Sequence, residues 1–341
     1  MIVSRTPFRV SFAGGGSDLR AYYARRPGAV VSAAIDKYMY VTVNRRFDPT
    51  IRISYTKTEI VDRVNMIQHD LVRETMAGMG LDGGIELTTI ADVPAGTGLG
   101  SSSSLTVGLL HALYAFQGKF RSAQQLAQEA CHVETGVLKR PIGKQDQYAA
   151  AYGGLNYLQF NPDETVFVEP IICSQKTRKE LERRLLMFYV GVRGDSSKIL
   201  SEQRQATLEN AAAEGILDHM VALARKMKEA LNNNDLCCFG RLLHENWVLK
   251  KQMNSAISNA DIDRWYEAGR DAGTIGGKIL GAGGAGFLLF FCQDGAQELV
   301  RARMRQEGLR EFPVRFEPEG SKIIFIGNEQ WVGEEGRGTS P

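Results

Sequence analysis

The chain has 341 residues, 43% of them hydrophobic and 23% charged, the profile of a soluble globular protein with room for one large or two medium domains. Its 41 basic and 39 acidic residues leave a formal charge of +2, so no global charge draws it to nucleic acid or to an anionic membrane, and phosphate chemistry must rest on local sites. Five cysteines without a C-x-x-C pair argue against a disulfide framework or a zinc knuckle; the opening MIVSRTPFRV lacks the long apolar core of a signal peptide, and the longest uncharged apolar stretch, near 279–292, is glycine-rich and short of the roughly 20 residues of a membrane span, which points to a cytoplasmic protein.

Strands open the chain. Residues 9–12 lead into a glycine turn, and 38–44 and 51–55 carry alternating and β-branched residues. Helical spacing follows: Leu105, Leu109, Leu113 and Phe116 share one face over 104–116, and Ser122 with Gln125 forms a capping box for the next helix. A polar, basic stretch over 174–184 precedes a buried-strand run at 185–192, after which helical periodicity dominates from 199 to 272. The end returns to a strand at 286–292, a helix at 296–306 and strands at 314–316 and 322–326. The expected division is 1–180 and 181–330, with a loosely held Gly- and Glu-rich tail at 331–341.

Between Pro94 and Ser104, Gly96, Gly98 and Gly100 alternate with other residues, and four serines then precede an amphipathic helix. Glycines let backbone N–H groups approach an anion, and the unpaired N–H groups of a helix's first turn favour negative charge. Such a loop also starts many helices without binding anything. A Walker A loop is excluded, because no Gly-Lys pair is followed by Ser or Thr. Gly281, Gly283 and Gly286 fit G-x-G-x-x-G but precede a strand, so a dinucleotide fold is disfavoured. Phosphoryl transfer also needs carboxylates and a cation, and residues 129–146 supply Glu134 and Asp146. A solvated helix carboxylate and a helix cap are their structural alternatives.

The loop resembles the second motif of the GHMP kinase superfamily, Pro-x-x-x-Gly-Leu-x-Ser-Ser, through Pro94, Gly98, Leu99, Ser101 and Ser102. Pro7-Phe-Arg-Val-Ser-Phe-Ala-Gly-Gly-Gly-Ser-Asp18 resembles the first motif and Gly277-Lys-Ile-Leu-Gly-Ala-Gly-Gly-Ala-Gly286 the third, so the resemblance runs along nearly the whole chain. Within the superfamily, Gly14-Gly-Gly-Ser-Asp18 and Leu243-His-Glu-Asn-Trp247 look most like the D-glycero-D-manno-heptose 7-phosphate kinases, with fucokinase-like enzymes as neighbours.

The resemblance implies an α+β protein of two domains, a ribosomal S5-like N-terminal one and a ferredoxin-like C-terminal one, with substrates between them. It implies transfer of the ATP γ-phosphoryl group, with Mg²⁺, to the anomeric hydroxyl of a heptose 7-phosphate, giving the 1,7-bisphosphate for nucleotide-activated heptose. Pro94, Gly96, Gly98, Leu99, Gly100, Ser101, Ser102 and Ser103 would hold the nucleotide, with the Ser102 hydroxyl and Glu134 on the metal. Asp146 would accept or orient the sugar proton beside the Arg9 cation, and Gly15, Gly16, Ser17 and Asp18 would meet the sugar. Arg193 and Lys278 would lie near the substrate, and Arg20 and Lys198 join them as candidates for a substrate phosphate. For Arg193 and Lys278 a solvated surface position is the plain alternative, for Asp18 a simple turn. A kinase of an unphosphorylated sugar and a non-catalytic sugar- or nucleotide-binding regulator remain open, as does the oligomeric state.

Overall fold

The computed structural model describes residues 1–191 and 197–327. Alternating apolar and polar residues build β1 (Ile2–Ala13) and β2 (Gly28–Arg45), which pair antiparallel over most of their length. With 18 residues, β2 is long enough to serve two further neighbours. Its first half pairs β6 (Leu155–Phe160), itself paired with β7 (Val166–Pro170), and its second half pairs β5 (Ile85–Ala91). β3 (Ile51–Ser54) runs parallel to β5 and antiparallel to β4 (Thr58–Val61). β12 (Lys322–Ile326) returns from the far end of the chain to lie beside β1 and completes eight strands among the described residues.

After the short α1 (Arg20–Tyr23) come α2 (Asp70–Gly78), α3 (Ser101–Phe116), α4 (Ala123–Cys131) and α5 (Gln145–Tyr152), with α3 packed on β1 and β2. The predicted apolar positions Leu105, Leu109 and Leu113 are buried. The helix begins at Ser101, three residues before the expected start, because Gly100 takes the left-handed conformation and turns the chain early. The expected capping box forms: Gln125 N–H donates to Ser122 Oγ at 3.2 Å and Ser122 N–H to Gln125 Oε1 at 2.9 Å.

The second sheet has the antiparallel order β11 (Arg310–Glu311), β8 (Leu185–Gly191), β10 (Gly286–Cys292), β9 (Thr274–Ile279). α6 (Gln175–Arg184) precedes it; α7 (Ser197–Glu209), α8 (Ala211–Asn232), α9 (Leu236–Met253) and α10 (Ala260–Asp271) separate β8 from β9, and α11 (Gln297–Gln306) follows β10. α9 lies on β9 and also reaches the first sheet, where its Phe239 meets Phe12 of β1 edge to face at 5.3 Å. One hydrophobic core therefore spans both sheets and fixes the cleft between them. The protein is α+β, and no helix among the described residues is long and apolar enough to cross a membrane.

Three expectations change. Residues 174–184, read only as a polar, basic stretch, form α6, capped by Ser174, because Thr177 and Leu181 fall on one face and bury, while the Arg184 guanidinium lies over the Phe291 ring. The strand expected at 314–316 reduces to a single bridge between Phe316 and Ile35, since Pro313 and Pro318 flank it and lack N–H donors. Finally, the single cut at 180/181 assigns 322–326 to the second half, whereas β12 belongs to the first sheet by its pairing with β1. The tail at 331–341 lies outside the described residues.

Candidate active site

A cavity of about 530 Å³ opens between the glycine turn after β1, the loop before α3, residues 140–146 and the loop between β9 and β10. No side chain caps α3, so the N–H groups of Ser101, Ser102 and Ser103 at its first turn remain for an anion. Gly96, Gly98 and Gly100 line the cavity beside them. Pro94 and Leu99 do not; the Pro94 carbonyl accepts the Thr97 hydroxyl at 3.0 Å, and that of the buried Leu99 accepts Arg9 N–H at 3.1 Å. Both shape the loop from behind. Gly98 has φ 82°, and a Cβ there would stand 2.5 Å from the Leu280 carbonyl oxygen. The loop between β9 and β10 is thus a backbone buttress for the one before α3.

Arg9 and Asp146 meet at the cavity wall. Arg9 Nε and Nη2 each donate to Asp146 Oδ1 at 2.7 Å, while Nη1 donates to the Gly98 carbonyl at 2.7 Å. One guanidinium ties the carboxylate to the loop before α3, and both contacts on Asp146 fall on Oδ1. Glycine suits position 100 as well, because its φ is 78° and a Cβ would stand close to Asp146, 3.3 Å from Cγ.

Behind Ser102 lies Glu134, wholly buried in a π-helical turn (His132–Val137) after α4. Its Oε1 accepts the Ser102 hydroxyl at 2.9 Å and its Oε2 accepts Gln147 Nε2 at 2.5 Å. Burial pushes the Glu134 carboxyl up, against the hydrogen bonds from Ser103, Gln147 and Ser102. From the cavity side, Arg140 Nη1 donates to Ser102 Oγ at 2.7 Å and stands 3.7 Å from Glu134 Oε1, while Nη2 meets both Asp70 oxygens at 2.9 and 3.0 Å. A cation therefore already reaches this pair. Adjacent ligands of an octahedral Mg²⁺ with bonds of about 2.1 Å stand about 3 Å apart, so the spacing of the Ser102 and Glu134 oxygens fits that ion. No group of three or more His, Cys, Asp or Glu side chains able to hold a metal occurs among the described residues.

Gly15, Gly16 and Asp18 line the opposite end. Ser17 does not face the cavity: its hydroxyl donates to the Gly14 and Ala29 carbonyls and accepts Ala29 N–H, which corrects its expected contact with substrate. Asp18 is buried, and its carboxylate accepts Gly16 N–H at 2.8 Å and Gln145 N–H at 3.3 Å; burial raises it above the usual carboxylate range. Lys278 is not a surface residue. It is 4% exposed, and Nζ donates to the Ser11 carbonyl at 2.8 Å. Burial, then the neighbouring Lys250 and Arg9 charges, push Lys278 down to about 7. Arg20 is exposed and paired with Glu164 at 2.8 Å, outside the cavity, and Lys198 is exposed. Arg193 lies outside the described residues.

Arg140, Gln147, Gln203 and Lys250 are functional candidates that sequence reasoning missed. Gln147 flanks Asp146, and Lys250 lies one turn beyond Asn246 in the singled-out segment 243–247, so both had a neighbouring signal. Arg140 and Gln203 had none.

Two family models match the chain, "GHMP kinases N terminal domain" over residues 64–154 and "GHMP kinases C terminal" over 227–309. Among curated proteins, the chain is 29% identical to the D-glycero-alpha-D-manno-heptose 7-phosphate kinase of Campylobacter jejuni, over 94% of this chain and 98% of that protein. It is 27% identical to the L-fucokinase/L-fucose-1-P guanylyltransferase of Bacteroides fragilis, over 89% of this chain but 36% of that longer protein. Among solved structures, a D-glycero-D-manno-heptose 1-phosphate kinase from Bacteroides thetaiotaomicron is similar at a TM-score of 0.79 and 26% identity, covering 96% of this chain and all of that one. The galactokinase of Lactococcus lactis shares the fold, with a TM-score of 0.75 at 16% identity over 95% of each chain.

Proposed function

We propose that this chain, which belongs to the GHMP kinase family, is an ATP-dependent sugar phosphate kinase that phosphorylates the anomeric hydroxyl of D-glycero-D-manno-heptose 7-phosphate. The observation that carries this reading is the Arg9 guanidinium, which binds Asp146 Oδ1 and the Gly98 carbonyl at once. It ties to the loop that would hold the transferring phosphoryl group the carboxylate that, in this reading, accepts the proton.

In this reading the first-turn N–H groups of α3 and the glycines before it cradle the ATP phosphates. Ser102 and Glu134 hold Mg²⁺, which neutralises charge on the phosphate oxygens when bound. Asp146 Oδ2 accepts or orients the proton of the attacking hydroxyl, and Arg9 faces the charge that develops between loop and acceptor. Gly15, Gly16 and Asp18 shape the sugar end, with Lys278 behind them. Catalysis is positioning and charge neutralisation, the chief needs of phosphoryl transfer.

The similarity to a fucokinase supports a second reading, phosphorylation of an unphosphorylated sugar. A substrate panel with purified protein and Mg-ATP separates the two. Heptose 7-phosphate, heptose 1-phosphate, fucose and galactose are compared by kcat/KM, with the highest value expected for heptose 7-phosphate. A clear preference for free fucose overturns the heptose assignment, and no turnover of any sugar favours a non-catalytic binding protein.

A further inference from the structure

Lys278 and Lys250 are both buried cations, 4% and 6% exposed, and both line the cavity. Neither has a carboxylate within ion-pair distance among the described residues. Lys250 Nζ donates only to the Gly15 carbonyl at 3.2 Å and to Gln203 Oε1 at 3.3 Å, and Lys278 Nζ only to the Ser11 carbonyl. Asp18, the carboxylate whose charge both lysines feel, already accepts two backbone N–H groups. Burial pushes Lys250 down to about 8 and the Asp18 charge opposes this only in part, so the pair is held in place at a solvation cost that no ion pair among the described residues offsets.

Unpartnered polar atoms gather at the same end. Gln203 has no exposed surface, lines the cavity, and its Nε2 has no hydrogen-bond partner; the buried Ser11 hydroxyl has none either. Buried donors of this kind are uncommon unless a ligand completes them.

The cations are spaced along one strand and its turn. Arg9 faces Asp146 and Gly98, Ser11 two residues on holds Lys278, and Gly15 beyond the strand holds Lys250. At about 3.3 Å per residue the first step alone is about 7 Å, and it leads away from the loop before α3. The carbonyls that hold the two ammonium groups thus lie beyond Arg9 along the strand and its turn, on the side away from Pro7, whose carbonyl accepts the Ser104 hydroxyl of α3.

We propose that Lys250, with Gln203 and Lys278, forms the subsite that takes the phosphate monoester the sugar already carries, and that Lys250 sets the preference for phosphorylated over free sugars. A dianionic phosphate supplies the missing counter-charge for two ammonium groups and an acceptor for Gln203 Nε2. α9 contributes twice, since Asn246 Oδ1 accepts Gly14 N–H at 3.0 Å one turn before Lys250, so the same helix seats the glycine turn and presents the cation.

The subsite rests on the sugar phosphate kinase reading, and one matched pair of acceptors separates the two. Heptose 7-phosphate and the same heptose without its phosphate are compared by kcat/KM for the wild type, Lys250→Met and Lys250→Arg. The wild type is expected to favour the phosphorylated sugar. Lys250→Met should cut that preference about a hundredfold, chiefly by raising KM for the phosphorylated sugar, with KM for ATP unchanged and the free heptose little affected; Lys250→Arg should restore much of it. A wild type that favours the free sugar overturns the function assigned above. A wild type that favours the phosphate while Lys250→Met keeps the same preference overturns the subsite and leaves that function standing. Because Lys250 also braces Gly15, Gln203→Glu is made in parallel: it sets a carboxylate beside the ammonium without removing it. If Lys250→Met fails to fold, the preference of Gln203→Glu decides, a fall of tenfold or more supporting the subsite and an unchanged ratio overturning it.

Discussion

The two ends of the cavity are built from different materials. At the loop before α3 the binding groups are backbone N–H donors, presented by alternating glycines and an uncapped helix start within eleven consecutive residues. At the opposite end they are side chains from α7, α9 and β9, gathered around a turn more than 180 residues earlier in the chain. A backbone cradle is rigid, carries little specificity and suits the phosphates common to every nucleotide triphosphate. A side-chain pocket changes with single substitutions and suits the acceptor. In the proposed function the contrast separates the groups that would hold the nucleotide from those that would choose the sugar.

Three experiments bear on that contrast. The largest effect is expected where the ends meet: Asp146→Asn should lower kcat by a hundredfold or more, about 2.7 kcal/mol of barrier, with ATP binding largely intact. Unchanged turnover removes Asp146 from the mechanism and leaves Arg9 as a structural strut.

Next comes the backbone end. Gly98→Ala forces a Cβ into a left-handed residue and toward the Leu280 carbonyl, costing about 1–2 kcal/mol of stability. A lower melting temperature and a KM for ATP raised about tenfold, with the sugar's KM nearly constant, would keep the two ends separable. A sugar KM that rises equally would show that the cradle and the pocket act as one unit.

The third experiment concerns protons and is read in stability alone. Lys278 ionises near 7 in the folded chain against about 10.4 when unfolded. Between those values the unfolded chain binds more protons, so this group makes stability rise with pH; its full penalty is present below about pH 7. Lys278→Met should therefore be stabilised relative to wild type most at pH 6, the gap narrowing toward pH 10 in thermal melts. A gap independent of pH would mean that Lys278 is not a buried cation.

What could be read in advance follows the same division. The loop from Pro94 to Ser104 was legible because its donors are contiguous, and Asp146 because its helix start lies close behind Glu134 in sequence. Lys250 was hidden: a lysine in a helix ending Lys-Lys-Gln-Met reads as solvated, and only the packing of α9 on β9 and the glycine turn brings it inside. Lys278 misled for a related reason, since β9 is buried on both faces and its lysine has no solvent side to take. Helix α6 was obscured because only one of its three buried positions, Thr177, Leu181 and Arg184, is apolar. The return of β12 could not be inferred from a local pattern that says strand but not beside which partner.

That return governs how the molecule is made. Ile2 pairs with Ile326, and Gly327 N–H donates to the Met1 carbonyl at 2.7 Å, so β1 waits for a strand some three hundred residues later in the chain to cover its edge. Pairings of such sequence separation form slowly, and an open strand edge invites other chains. A nascent chain that ends before residue 322 would hold every residue assigned to the site and still leave the edge from Ile2 to Arg5 without its β12 partner.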